Sequence, residues 1–233
     1  QRKLPAARQL AGLIYNKEFL QKWRSSAGFA EDLILLEELY AAKLKYFDKM
    51  IGPILNLYGD EQLKKKTMVV FVGDHGEPLM EHNSTAHGDS VYDSALRIPM
   101  MVRWPDAPRR ASQRIAEQTY MGGLAEFLEE IVMGEAESDQ AVERVRENSG
   151  EVIVARDCDN KQFALRLNNQ WKLIIEMLTG KKILYDLSAD PGETRDVAEA
   201  HPQVVDSLQK RFFTEYPNFH KPNTFRCYAW PKL

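Results

Sequence analysis

The apolar positions fall into two regimes along the chain. From about 29 to 58, Leu36, Tyr40, Leu44, Phe47, Ile51 and Leu55 recur every three or four residues, the stripe of an amphipathic helix. Gly52-Pro53 is expected to kink its end. Gly59-Asp60 and the lysines at 64–66 then turn the chain into an unbroken apolar run, Met68 to Val72. A run without alternation reads as a strand buried on both faces, the habit of parallel α/β sheets. A second strand is expected at 98–103, where Pro99 suits only the first residues, and another helix at 119–132. Helix, strand, loop and strand in this order predict an α/β layer with crossover connections.

Between these elements, 103–114 is rich in Pro and Arg and reads as a surface crossing, and 134–150 is acidic and reads as a mobile connection. Beyond 150 the period shortens. Segments 151–156, 162–167, 171–177 and 182–187 are short and strand-like, divided by turn residues such as Asn168-Asn169 and Thr179-Gly180. Turns at that spacing predict a small antiparallel meander. Asp190-Pro191-Gly192 ends it, and Pro202 opens a closing helix with Val204, Val205, Leu208 and Phe212 on one face.

Chemistry concentrates where the first strand stops, at Gly73-Asp74-His75-Gly76, with His87-Gly88 twelve residues past His75. Ligands of parallel sheets bind beyond the carboxyl ends of strands, where Asp74 and His75 fall. Neighbouring strand residues point to opposite faces, so both reach one ligand only if the chain turns. Gly73 and Gly76 permit the turn. Other polar residues read as structural. His82 is a surface or supporting residue with a secondary candidacy for substrate contact, and Arg97 is expected to pair with Asp93. Tyr92 reads as core, Arg103, Arg109, Arg110 and Arg114 as a solvated face, and His201 as a helix cap. His220 lies in an aromatic tail expected to strap the core.

Composition narrows the classes. With 31 basic and 34 acidic residues the net charge is −3, which leaves no single-sign field to capture nucleic acid. No apolar run approaches the ~20 residues of a membrane span. Cys158 and Cys227 lie too far apart for a zinc finger or a CxxC site and allow one disulfide or none. At 233 residues there is bulk for one large domain or one and a fraction, and a start at Gln1-Arg2-Lys3 reads as a piece of something longer.

Four segments, in order, resemble the C-terminal half of a sulfatase, in the alkaline-phosphatase-like superfamily. YAAKLKYFDKMIGPIL from Tyr40 to Leu55 resembles the family's helix, and MVVFVGDHG its metal-binding strand end. HGDSVYDSALRIPMMVRWP is similar to its loop and returning strand, and LYDLSADPGET to its C-terminal signature. The resemblance implies residues 1–115 as the C-terminal part of the α/β catalytic domain, in a large mixed or parallel sheet with flanking helices. It implies 116–233 as the last helix and a small four-stranded antiparallel subdomain with its own helix. It further implies a metal-dependent hydrolase of small sulfate or phosphate esters. Asp74 and His75 match two ligands of a divalent cation, usually calcium, with magnesium and manganese also suited to the donors. His87 matches the position set against the ester oxygens and leaving group.

The family's nucleophile, a formylglycine made from Cys or Ser in a C/S-x-P/A-x-R motif, belongs to its N-terminal half, as does a pair of aspartates completing the metal site. Neither cysteine here sits in that motif. The expectation is therefore a chain inactive alone, whose partner is the N-terminal half of the same protein. The rivals are a phosphodiesterase or phosphonate hydrolase of the same superfamily and a non-catalytic subunit of a larger assembly. A secretory, lysosomal or periplasmic setting is implied by the resemblance alone.

Overall fold

The computed structural model describes residues 17–85, 87–105, 114–134, 152–158 and 161–215. The Arg109-Arg110 stretch, the 134–150 connection beyond Gly134, Cys227 and the aromatic tail with His220 lie outside them.

Helix α1 (Lys17–Arg24) is joined to α2 (Phe29–Leu57) by the Trp23 indole, whose Nε1 donates to Asp32 Oδ2 at 3.0 Å. The stripe at 29–58 forms one helix, and α2 runs through Pro53 to Leu57. Asp60 caps the short α3 (Glu61–Lys66) by accepting from the amide of Gln62 at 2.7 Å. Strand β1 (Val69–Val72) pairs with β2 (Met100–Arg103), with Val70 opposite Val102 and Val72 opposite Met100.

That pairing is antiparallel, and the four β1 residues are half-buried rather than enclosed on both faces. The apolar run is covered on one face by α5 (Met121–Val132). Its Leu124 and Phe127 pack on Val70, Val72, Met100 and Val102. On the other face Phe71 lies 6.5 Å from Phe47 of α2 between ring centres, and Met101 stays 59% exposed. Helix α2 has no buried residue among its 29. Ile34, Leu44, Phe47, Met50 and Ile54 stand open to solvent, an apolar surface that a folded α/β layer normally covers.

The C-terminal meander follows the sequence closely. Strands β3 (Val152–Arg156), β4 (Gln162–Leu167), β5 (Trp171–Glu176) and β6 (Lys182–Asp186) form a four-stranded antiparallel sheet in chain order. Period-2 alternation sends Phe163, Leu165, Leu173, Ile175 and Leu184 to one face, where α6 (Pro202–Glu215) lays down Val205, Leu208 and Phe212. The opposite face, with Ala164, Ile174, Ile183 and Tyr185, receives Val91 and Tyr92. The sheet therefore carries its own helix on one side and the segment just after His87 on the other.

A buried charge cluster locks that second face. Lys172, fully buried on β5, reaches Asp93 Oδ1 at 2.8 Å and Glu193 Oε1 at 2.5 Å, while Arg166 pairs with the other oxygen of Asp93. The expected Arg97–Asp93 pair does not form. Arg97 is exposed and ends α4 (Asp93–Leu96), and Asp93 turns inward to the two cations of the meander. Burial raises the Asp93 carboxyl, but the Lys172 ammonium and the Arg166 guanidinium outweigh it and hold the group below its ordinary value.

Glu193 sits at φ +55° in the loop after Asp190, and its Oε2 accepts the Asp93 amide at 2.7 Å, closing the first turn of α4. Asp190 shapes that loop by accepting the amides of Arg195 and Thr194 at 2.8 and 2.7 Å. The DPGET signature thus ties the meander to the helix behind the strand-end turn.

Candidate functional site

The turn after β1 is built around close backbone approach. Gly73 donates to Pro99 O at 3.0 Å and Gly76 to Ala95 O at 2.7 Å, so both glycines lie against the returning α4–β2 segment. A Cβ on Gly76 would fall 2.2 Å from Ser94 O, a separation that only glycine allows. Pro78, fully buried, fixes the chain on the far side. The segment between, Asp74 to Glu77, is held at both ends.

On this turn His75 and His87 come together, their rings stacked with centres 3.6 Å apart and planes at 17°. Glu77, which the sequence reading did not single out, joins them. Its Oε2 lies 3.0 Å from His87 Nδ1 and 4.0 Å from His75 Nδ1. No spacing rule marked it, because the chain turns between Gly73 and Gly76 and the strand's alternation does not carry across the turn. Donor atoms of His75, Glu77 and His87 all lie within 4.8 Å of one another, a set able to hold a metal ion.

Asp74 stands apart from that trio. Its side chain is 91% exposed, its Oδ1 accepts the His75 amide at 3.0 Å, and its Oδ2 lies 3.7 Å from His75 Nε2. His75 Nδ1 sits 2.8 Å from Gly76 O, and because a carbonyl only accepts, this bond puts the proton on Nδ1 and leaves Nε2 with a free lone pair. A free carboxylate oxygen and a free imidazole nitrogen 3.7 Å apart are separated as two ligands of one cation are at the usual 2.3–2.6 Å bond lengths of about that size. The residues fit a divalent cation.

His82 is not with the pair. Its ring lies flat on Tyr92, 3.6 Å away and 2° from parallel, and its backbone is left-handed at φ +51° between Met80 (φ +80°) and Asn83 (φ +63°). Tyr92 is half-buried, between His82 and Tyr185, in keeping with a core role. Arg103 lies over the Tyr58 ring at 4.7 Å, and His201 packs on Trp171 at 5.1 Å while its carbonyl accepts the first α6 amides. Cys158 is disulfide-bonded, and its amide donates to Gly88 O at 2.8 Å, so the β3–β4 turn also abuts the His87 loop. No helix among the described residues is long and apolar enough to cross a membrane.

Comparison with known proteins shows what the chain is similar to. The family model described as "Sulfatase" matches residues 16–126. Arylsulfatase K of Gallus gallus is 27% identical over 201 residues, covering 78% of this chain and 37% of that protein. N-acetylgalactosamine-6-O-sulfatase of Bacteroides thetaiotaomicron is 28% identical over 204 residues, covering 70% of this chain and 39% of that protein. A solved structure from work on glycosaminoglycan metabolism by Bacteroides thetaiotaomicron is 27% identical, with a TM-score of 0.51 over 74% of this chain and 43% of its own. A protein solved in complex with its substrate D-glucosamine-2-N,6-O-disulfate shares the fold, at 18% identity and a TM-score of 0.61 over 91% of this chain and 45% of its own. The chain thus spans about two-fifths of the length of the relatives it matches.

Proposed function

For a chain that is a partial, C-terminal-like sulfatase region, we propose that the turn after β1 contributes part of a metal-dependent site for hydrolysis of sulfate esters. The observation that carries this reading is the convergence of His75 and His87 at the end of β1, beside Asp74. Asp74 Oδ2 and His75 Nε2 would hold the cation, calcium suiting the carboxylate best and magnesium or manganese also accepted. When bound, the cation polarises the ester oxygens as a Lewis acid. His87, with Nδ1 taken up by Glu77, keeps Nε2 for the ester, and once Nε2 has taken up a proton the imidazolium would offset charge on an ester oxygen and hand that proton to the leaving group as the ester bond breaks.

The nucleophile, a formylglycine in the family, and the remaining metal ligands would come from the portion of a longer protein that these residues do not span. The open apolar faces of α2 and of Met101 on β2 supply a surface for that portion. On this reading the 233 residues alone do not turn over an ester.

The test is hydrolysis of an aryl sulfate and of the matching aryl phosphate by a longer protein containing this region. Turnover of the sulfate ester should fall by about 10²-fold or more in His87→Ala, the size of effect seen when one charge-stabilising donor is removed. Asp74→Asn and His75→Ala should weaken calcium activation. A clear preference for the phosphate ester would reject sulfate hydrolysis, and full activity of His87→Ala would reject the site.

A further inference from the structure

We infer that Glu77 is a positioning residue that holds His87 with its proton on Nδ1 and its lone pair on Nε2, an inference that rests on reading His87 as a site residue. The geometry is specific. Glu77 Oε2 is 3.0 Å from His87 Nδ1, and an ionised carboxylate only accepts. A neutral imidazole making this bond must therefore carry its proton on Nδ1, since a ring protonated on Nε2 would set two lone pairs against each other. The same logic fixes His75, whose Nδ1 faces the acceptor-only Gly76 carbonyl at 2.8 Å. The two stacked rings are thus held as the same tautomer by two different acceptors.

Glu77 can do this because its backbone is clamped. On one side the Gly76 amide is bonded to Ala95 O at 2.7 Å, and on the other Pro78 is fully buried. The side chain is itself 71% covered, being 29% exposed. His87, by contrast, sits in a loop, and without this bond its stacking on His75 would leave open which ring nitrogen carries the proton. Carboxylate partners of this kind orient the imidazoles of metal and catalytic sites, and their loss costs about 10–100-fold in affinity or activity.

The experiment is a long-range proton–nitrogen NMR spectrum of the full 233-residue chain, taken at a pH where the rings are neutral. His87→Gln identifies the His87 signals among the five histidines. The wild-type spectrum should show Nδ1 protonated and Nε2 bare. Glu77→Leu should move the proton to Nε2, and Glu77→Gln, whose amide oxygen still accepts, should restore Nδ1–H. A wild-type His87 protonated on Nε2 overturns the inference by itself, as does an unmoved proton in a folded Glu77→Leu.

A calcium titration of the same variants in a longer protein containing this region, where the remaining ligands are present, separates the alternatives. If Glu77→Leu costs more calcium affinity than Asp74→Asn, Glu77 is a metal ligand and not a positioning residue. If the wild type binds no calcium while the proton follows Glu77, the positioning role stands and the metal-dependent hydrolase reading fails.

Discussion

Replacing Lys172 by Met tests the lock between the meander and the candidate site. Lys172 is fully buried and serves two carboxylates, Asp93 at 2.8 Å and Glu193 at 2.5 Å. With Arg166 the cluster holds two cations and two anions and is neutral. The substitution keeps most of the side-chain volume but leaves the cluster at −1, with Asp93 still on Arg166 and Glu193 at 2% exposure without its cation. Stranding one member of a buried ion pair costs about 3–5 kcal/mol. For a chain of this length that corresponds to a melting temperature about 6–20 °C lower.

The assay is equilibrium urea unfolding at neutral pH, with hydrogen exchange of the β5 amides as a local readout. A loss below about 1 kcal/mol would refute the view that these charges are desolvated and mutually dependent.

Two further predictions follow from the same contacts. In the wild type Asp93 is held below its ordinary value of 3.8, so its contribution to stability is fully present above that pH and drains away as pH falls through the lowered value. Denaturation midpoints should therefore not respond to Asp93 between pH 7 and 5 and should drop below about pH 4, and Asp93→Asn should remove that component of the drop. Gly76→Ala must push the Asp74–Glu77 turn off α4, because its Cβ would meet Ser94 O at 2.2 Å. The measurable result is loss of the His75–His87 pairing in NMR spectra, with a stability cost of about 1–3 kcal/mol, and an unchanged spectrum would show that the turn can shift without consequence.

These contacts give the LYDLSADPGET stretch a physical role. Its Tyr185 and Leu187 pack under Val91, its Asp190 folds the loop, and its Glu193 reaches Lys172 and the Asp93 amide. Asp93 begins α4, and Ala95 of α4 receives the Gly76 amide in the turn that bears His75 and Glu77. A segment with no chemistry of its own thereby sets where the strand-end turn can sit.

The sequence by itself determined the meander and its closing helix, because each depends on a local period that burial selects, and the long α2 from its three-and-four spacing alone, since none of its residues is buried. Phe163, Leu165, Leu173 and Leu184 alternate as a half-covered sheet must, and Val205, Leu208 and Phe212 recur as a helix face must. It also marked Asp74 and His75 as candidates, since a polar pair between glycines at the end of an apolar run has few structural uses, and the structure brings His87 onto the His75 ring. The antiparallel pairing of β1 was not legible, because strand direction is set by which neighbour the chain meets, and an apolar run serves either. Nor was the partner of Asp93, because Arg97 is near in sequence while Arg166 and Lys172 are brought close only when the meander docks. Glu77 was not legible either, because its bond to His87 needed the loop from 77 to 87 to close, and tertiary contact alone decides that closure.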